Sequence, residues 1–175
     1  PLKLRLRKLP DYLRMLAVAL VIIAIARPQL SSSTDEKSIE GIDIVLALDV
    51  STSMLAEDFK PNRLESAKNV AKEFIENRKS DNIGIVVFAG EAYTKCPSTI
   101  DHKVLLDLLS SIESGQIDDG TAIGDGLATA INRVKDTKTK SKVIILITDG
   151  VNNMGAIDPI TAASIAKEYN IRIYT

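Results

Sequence analysis

At 175 residues and 45% hydrophobic content, the chain is long enough to bury a domain core of its own. A formal net charge of −1 offers no general attraction for nucleic acid. Cys96 and His102 are each the single residue of their type. That excludes an intramolecular disulfide, leaves the usual His/Cys zinc site short of ligands, and gives a Ser-His-Asp hydrolase one base to choose from.

Charge is unevenly spread along the chain. Residues 1–30, "PLKLRLRKLPDYLRMLAVALVIIAIARPQL", hold six basic residues and one acid, while the remainder holds 16 basic and 22 acidic residues. The uncharged run Met15–Ala26 spans roughly 18 Å as a helix, against roughly 30 Å of hydrocarbon. Extension over residues 9–30 reaches a full span, with Arg14 and Arg27 snorkelling from near its ends and Pro28 marking the exit. The run is apolar on all faces, so a transmembrane helix over 9–30 is the expectation, behind a basic segment over 1–8. A cleaved signal peptide, with "AIA" before Arg27, and a buried or interfacial helix are the other readings. Lys3, Arg5, Arg7 and Lys8 put the N-terminal side in the cytoplasm and the rest outside it. In a bacterium that means an inner-membrane protein with a periplasmic domain. "SSSTDEKSIE", residues 31–40, reads as a polar tether.

From residue 41 onward, strands and helices alternate. "IDIVLALD" (42–49) reads as a strand buried on both faces, and "RLESAKNVAKEFIENR" (63–78) as a helix with Leu64, Ala67, Val70, Ala71, Phe74 and Ile75 inward. "NIGIVVFAG" is a second buried strand and "EAYTKCP" a more polar edge strand. Asp101 caps a helix through about Ile112 that carries Val104, Leu105, Leu108 and Leu109. A glycine-rich loop then turns into the helix "GTAIGDGLATAINRVK". "KVIILITDG" is the clearest central strand. "DPITAASIAKEYN" is a helix capped by Asp158 with Pro159 in its first turn, and "IRIY" is a last strand. The fold class is α/β, a doubly wound, mostly parallel sheet over residues 41–175. Because the chain begins at Pro1 and stops near an apolar stretch, it is expected to be a fragment of a longer protein.

Ligands of such sheets bind at the carboxyl ends of the strands. Two strands end in aspartate there, at Asp49 and Asp149, and the loop at Thr121 leads into a helix starting near the same rim. Asp49, Ser51, Ser53, Thr121 and Asp149 therefore converge from three loops. Asp49, Ser51 and Ser53 alternate, and in extended chain such residues face the same way. Two carboxylates and three hydroxyls are hard oxygen donors that favour Mg²⁺, Mn²⁺ or Ca²⁺. An open position on such an ion accepts a carboxylate from another protein. Two other readings stand beside this one. Asp49 and Ser51 can cap a helix, and Asp49 can be the nucleophile of a Mg²⁺-dependent aspartyl phosphatase-like hydrolase. That class, however, carries a second Asp where Ser51 stands.

"DVSTS" resembles the D-x-S-x-S signature of von Willebrand factor A (VWA) domains. "DDGTAIGDGL" and "ILITDG" supply Thr121 and Asp149 in the settings where that family completes its metal-ion-dependent adhesion site (MIDAS). The longer pattern, with "GIDIVLALDVSTSM", "NRLESAK" and "DNIGIVVFAGEAYT", resembles the bacterial Bat (aerotolerance) proteins, especially the BatA type. The resemblance covers about residues 41–175 and implies a Rossmann-like fold that continues with a further helix, strand and helix. It also implies a non-enzymatic, metal-dependent protein-interaction module, anchored to membrane lipid, acting in envelope complexes. Other Bat proteins and MoxR-type AAA+ ATPases are the implied partners.

Blander readings attach to the neighbouring residues. Asp118, Asp119 and Asp125 read as solvated turn residues, at most one of them near the metal. Glu57 and Asp58 read as a solvent-facing loop. Gly120, Gly124 and Gly126 lack dinucleotide-fingerprint spacing and read as backbone freedom beside the site. Cys96 reads as a small, semi-buried side chain.

Overall fold

The computed structural model describes residues 9–26 and 41–175. Helix α1 (Leu9–Ala26) has 18 residues, about 27 Å of rise. Among the described residues no helix is long and apolar enough to cross a membrane. Tyr12, Leu13, Met15, Leu16, Val18 and Leu20 are all more than half exposed. The basic segment 1–8, the last four residues of the expected 9–30 span and the tether 31–40 lie outside the described residues.

Residues 41–175 form a five-stranded sheet in the order β3-β2-β1-β4-β5. Its strands are β1 (Asp43–Asp49), β2 (Asn82–Phe88), β3 (Ala92–Thr99), β4 (Lys142–Ile147) and β5 (Ile171–Tyr174). β1 runs parallel to both β2 and β4, β4 is parallel to β5, and only the edge strand β3 is antiparallel. The alternating side-chain directions of β1 divide the core in two. Ile44, Leu46 and Leu48 pack into a cluster with residues of α2 (Arg63–Glu76) and α3 (His102–Ser110). Val45 and Ala47 pack on the other face against α4 (Ile123–Val134) and α5 (Pro159–Glu168). Helices on both faces explain why β1 and β2 read as continuous apolar runs.

Not every apolar residue of these helices faces inward, and Val70 is a correction to the inward set. Val70 is 66% exposed and Val104 is 48% exposed. The buried face of α2 runs through Leu64, Lys68, Ala71 and Ile75, a spacing that leaves Val70 outside. Lys68 is tolerated inside because its ammonium donates to the Ser110 and Ile112 carbonyls, at 3.1 and 2.9 Å, and to Glu65 at 2.8 Å. The caps fall as expected. Asp101 accepts from the Lys103 and Val104 amides, and Asp158 from those of Ile160 and Thr161. Cys96 is 4% exposed, and burial pushes its thiol pKa up, the opposite of what a reactive cysteine needs.

The chain leaves β1 toward β2 on one side, while β4 lies on the other. The sheet's topological switch point is therefore between the carboxyl ends of β1 and β4, where the connecting loops diverge and leave a crevice.

Candidate metal centre

Asp49 is the last residue of β1 and is 0% exposed. Its Oδ1 accepts the Ser51 amide at 2.9 Å, and its Oδ2 accepts the Thr148 hydroxyl at 2.6 Å. No lysine or arginine pairs with it among the described residues. A buried carboxylate with hydrogen bonds but no countercharge is costly, and it is a standing attraction for a cation.

Ser51 and Ser53 do not alternate along extended chain. Residues Thr52–Leu55 form a 3₁₀ turn, so the two hydroxyls meet because the chain curls. Ser53 Oγ lies 2.9 Å from Ser51 Oγ and 2.9 Å from Asp149 Oδ1. A carboxylate only accepts, so Ser53 donates to Asp149 and Ser51 donates to Ser53. Ser51 makes no side-chain cap bond, which removes the helix-capping reading.

Thr121 is 4% exposed. Its amide donates to Asn153 Oδ1 at 2.8 Å, while its hydroxyl enters no hydrogen bond among the described residues. A Cβ built on Gly150 would lie 3.3 Å from Thr121 Oγ1 and 3.7 Å from Asp49 Oδ2. Those two oxygens thus face the same small space beside the Gly150 backbone. The Asp149 side chain is 15% exposed, and its Oδ2 accepts Arg63 Nη1. All five residues singled out in the sequence thus stand at one rim, joined to one another or facing a common gap. No group of three or more His, Cys, Asp or Glu converges among the described residues; the two carboxylates are accompanied here by hydroxyls.

The loops are tied together by residues that the sequence reads only as solvated turns and loops. Asp119 accepts both the amide and the hydroxyl of Thr52, at 3.0 and 2.7 Å. The Thr52 hydroxyl bond is the main cause holding the Asp119 carboxyl below its ordinary pKa. Asp125 accepts the amides of Ala156 and Ile157 at 3.0 and 2.9 Å. These two are loop clamps, not free turn residues. Asp58 is also engaged: its carboxylate takes Arg63 Nε and Nη2, and the side-chain hydrogen bond to Arg63 is the first cause of its lowered pKa. Thr148, which orients Asp49, could have been found only by noticing a hydroxyl immediately before the "DG" of "ILITDG".

The three glycines divide by role. Gly120 has φ +140° and supplies the backbone freedom expected of it. Gly124 and Gly126 lie inside α4 and serve close packing instead. A Cβ on Gly124 would sit 1.8 Å from the Ile157 carbonyl oxygen, and one on Gly126 would sit 2.7 Å from the Phe88 ring.

Comparison with known proteins places this arrangement. The family model described as von Willebrand factor type A domain matches residues 44–152. The crystal structure of BatB from Bacteroides thetaiotaomicron is 37% identical with a TM-score of 0.71, covering 76% of this chain and 64% of that one. An aerotolerance-related membrane protein from Bacteroides fragilis is 35% identical, also at TM-score 0.71, covering 76% and 65%. Proximal thread matrix protein 1 from the mussel byssus, in a structure with a zinc-occupied MIDAS motif, is 27% identical at TM-score 0.66, covering 76% and 34%. The chain spans about half the length of the curated relatives it matches.

Proposed function

The chain belongs to the von Willebrand factor type A family, as a protein of the Bat kind, and from that premise we propose that it is a metal-dependent protein-interaction module. Asp49, Ser51, Ser53, Thr121 and Asp149 hold one divalent cation, Mg²⁺ first and Mn²⁺ or Ca²⁺ as alternatives. The observation that carries this reading is the fully buried Asp49, which has hydroxyls and a second carboxylate beside it but no cation of its own. The ion supplies a Lewis-acidic position open to an acidic side chain of a protein partner. The hydroxyl-rich, partly solvated shell leaves it electrophilic. The zinc seen in the byssus protein's MIDAS supports a divalent ion in this setting.

An aspartyl phosphatase-like role is disfavoured. Ser51 stands two residues after Asp49, where that class carries the second Asp that acts as its acid/base. We therefore read the protein as a non-enzyme. Retention of metal-dependent phosphomonoester turnover, lost on Asp49→Asn, would reverse this.

The domain limits are proposed as a basic segment over 1–8, a membrane anchor over 9–30, a tether over 31–40 and the VWA domain over 41–175. The apolar, exposed side chains of α1 support an anchor in lipid, with the VWA domain on the periplasmic side of a bacterial inner membrane. Reporter fusions after Ser33 test the orientation: activity of a cytoplasm-dependent reporter would invert it. The partners are proteins offering an acidic side chain, with other Bat proteins and a MoxR-type AAA+ ATPase as the candidates to test. Affinity capture with and without EDTA, read by mass spectrometry, should recover them only when the metal is present.

A further inference from the structure

Arg63 opens α2, and its backbone amide donates to the Ala56 carbonyl at 3.0 Å, which fixes it at the base of the Ser51–Ser53 loop. Its guanidinium is a planar fork with five donors. Nε reaches Asp58 Oδ1 and Oδ2 at 2.8 and 3.0 Å, and Nη2 reaches Oδ2 at 2.7 Å. This leaves Nη1, which donates to Asp149 Oδ2. With Ser53 on Oδ1, both oxygens of Asp149 are taken. The Arg63 side chain is 32% exposed and Asp149 15%, so solvent screens this pair only in part.

We propose that Arg63 is a built-in competitor for the cation at Asp149, so that a divalent ion binds by taking this carboxylate over from a guanidinium that Asp58 holds in place. The proposal rests on the metal-site reading above. Two positive groups cannot both draw fully on one carboxylate at close range without repelling each other. The bidentate grip of Asp58 favours the Arg63 conformer whose Nη1 faces Asp149. Arg63 therefore lowers metal affinity while supplying the rim with a substitute countercharge. A purely structural ion pair makes the opposite prediction, because removing it loosens the ligand loops and weakens metal binding.

Calorimetric titration of MgCl₂ into the EDTA-stripped 175-residue chain separates these cases. Arg63→Gln should bind Mg²⁺ about three- to tenfold more tightly than wild type, the scale of a partly exposed charge-assisted pair. Arg63→Lys, which keeps the charge but not the two-sided fork, should also gain affinity. Thermal melts give a second readout. Arg63→Gln should melt below wild type in EDTA, and saturating Mg²⁺ should narrow the gap. Equal or weaker Mg²⁺ binding by Arg63→Gln, or an unchanged gap in melting temperature, overturns the proposal. Asp49→Asn in the same series tests the underlying reading: if it binds Mg²⁺ like wild type, the metal site itself is misassigned, whatever Arg63 does.

Discussion

Asp43 and Asp49 begin and end β1, are 1% and 0% exposed, and each accepts a hydroxyl from a threonine flanking β4. Thr139 serves Asp43 and Thr148 serves Asp49. Beyond that the two ends diverge. At the amino end of β4, a cavity of about 490 Å³ is lined by Lys140, Lys142, Lys167 and Arg172 among others, a setting that repels a cation. At the carboxyl end the loops bring Ser51, Ser53, Thr121 and Asp149 to the crevice at the switch point. A buried carboxylate marks a metal site only where topology gathers further oxygen donors around it. Burial alone does not tell the two ends apart.

The sharpest way to break this comparison is to remove each carboxylate in turn. In wild type, Mg²⁺ at about 100 times its Kd should add about 2.7 kcal/mol, or about 10 °C in melting temperature. Asp49→Ala should abolish that shift. Asp43→Ala should destabilise the fold by about 1–3 kcal/mol for the partner it strands, and so lower the melting temperature, yet keep the Mg²⁺ increment. An increment lost equally in both variants would mean the ends are not distinct. The threonines give a smaller version of the same contrast. Thr148→Val should weaken Mg²⁺ binding about tenfold, as losing an orienting partner of a metal ligand does. Thr139→Val should leave that affinity within about twofold and cost about 1 kcal/mol of stability. Calorimetry on the pair decides it.

The sheet was readable because β1, β2 and β4 are uninterrupted apolar runs, and the rim because two of them end in aspartate. The reason Ser51 and Ser53 meet was not readable. Alternation predicts a common face in extended chain, whereas a 3₁₀ turn achieves the meeting by a different geometry. Arg63, Thr148 and Asp119 escaped for another reason. Each acts across loops 67 to 99 residues apart in sequence, a pairing that no local spacing reveals. Arg63 looks like any first-turn residue of an amphipathic helix. Val70 is apolar yet 66% exposed, while the buried position four residues after Leu64 is filled by Lys68, so apolar character alone does not locate the inner face of this helix.

The smallest expected effect concerns the clamps. Hydrogen bonds from Arg63 and Thr52 lower the pKa of Asp58 and Asp119 respectively. Groups with a depressed folded-state pKa contribute stability above their unfolded value and lose it as pH falls through the folded one. Stability should therefore be insensitive to these two groups from pH 7 down to about pH 4 and decline only below that. Chemical-shift titration of their carboxyl carbons checks it: a midpoint above 4 for either would remove the clamp from the account.

The central claim is that the carboxyl end of β1 holds one divalent ion through Asp49 and its neighbours. Calorimetric titration of Mg²⁺ into wild type and Asp49→Asn tests it most directly. The account predicts saturable binding at one site per chain in wild type and no measurable binding in the variant, with the fold intact by circular dichroism. Equal affinity in the two proteins would contradict it.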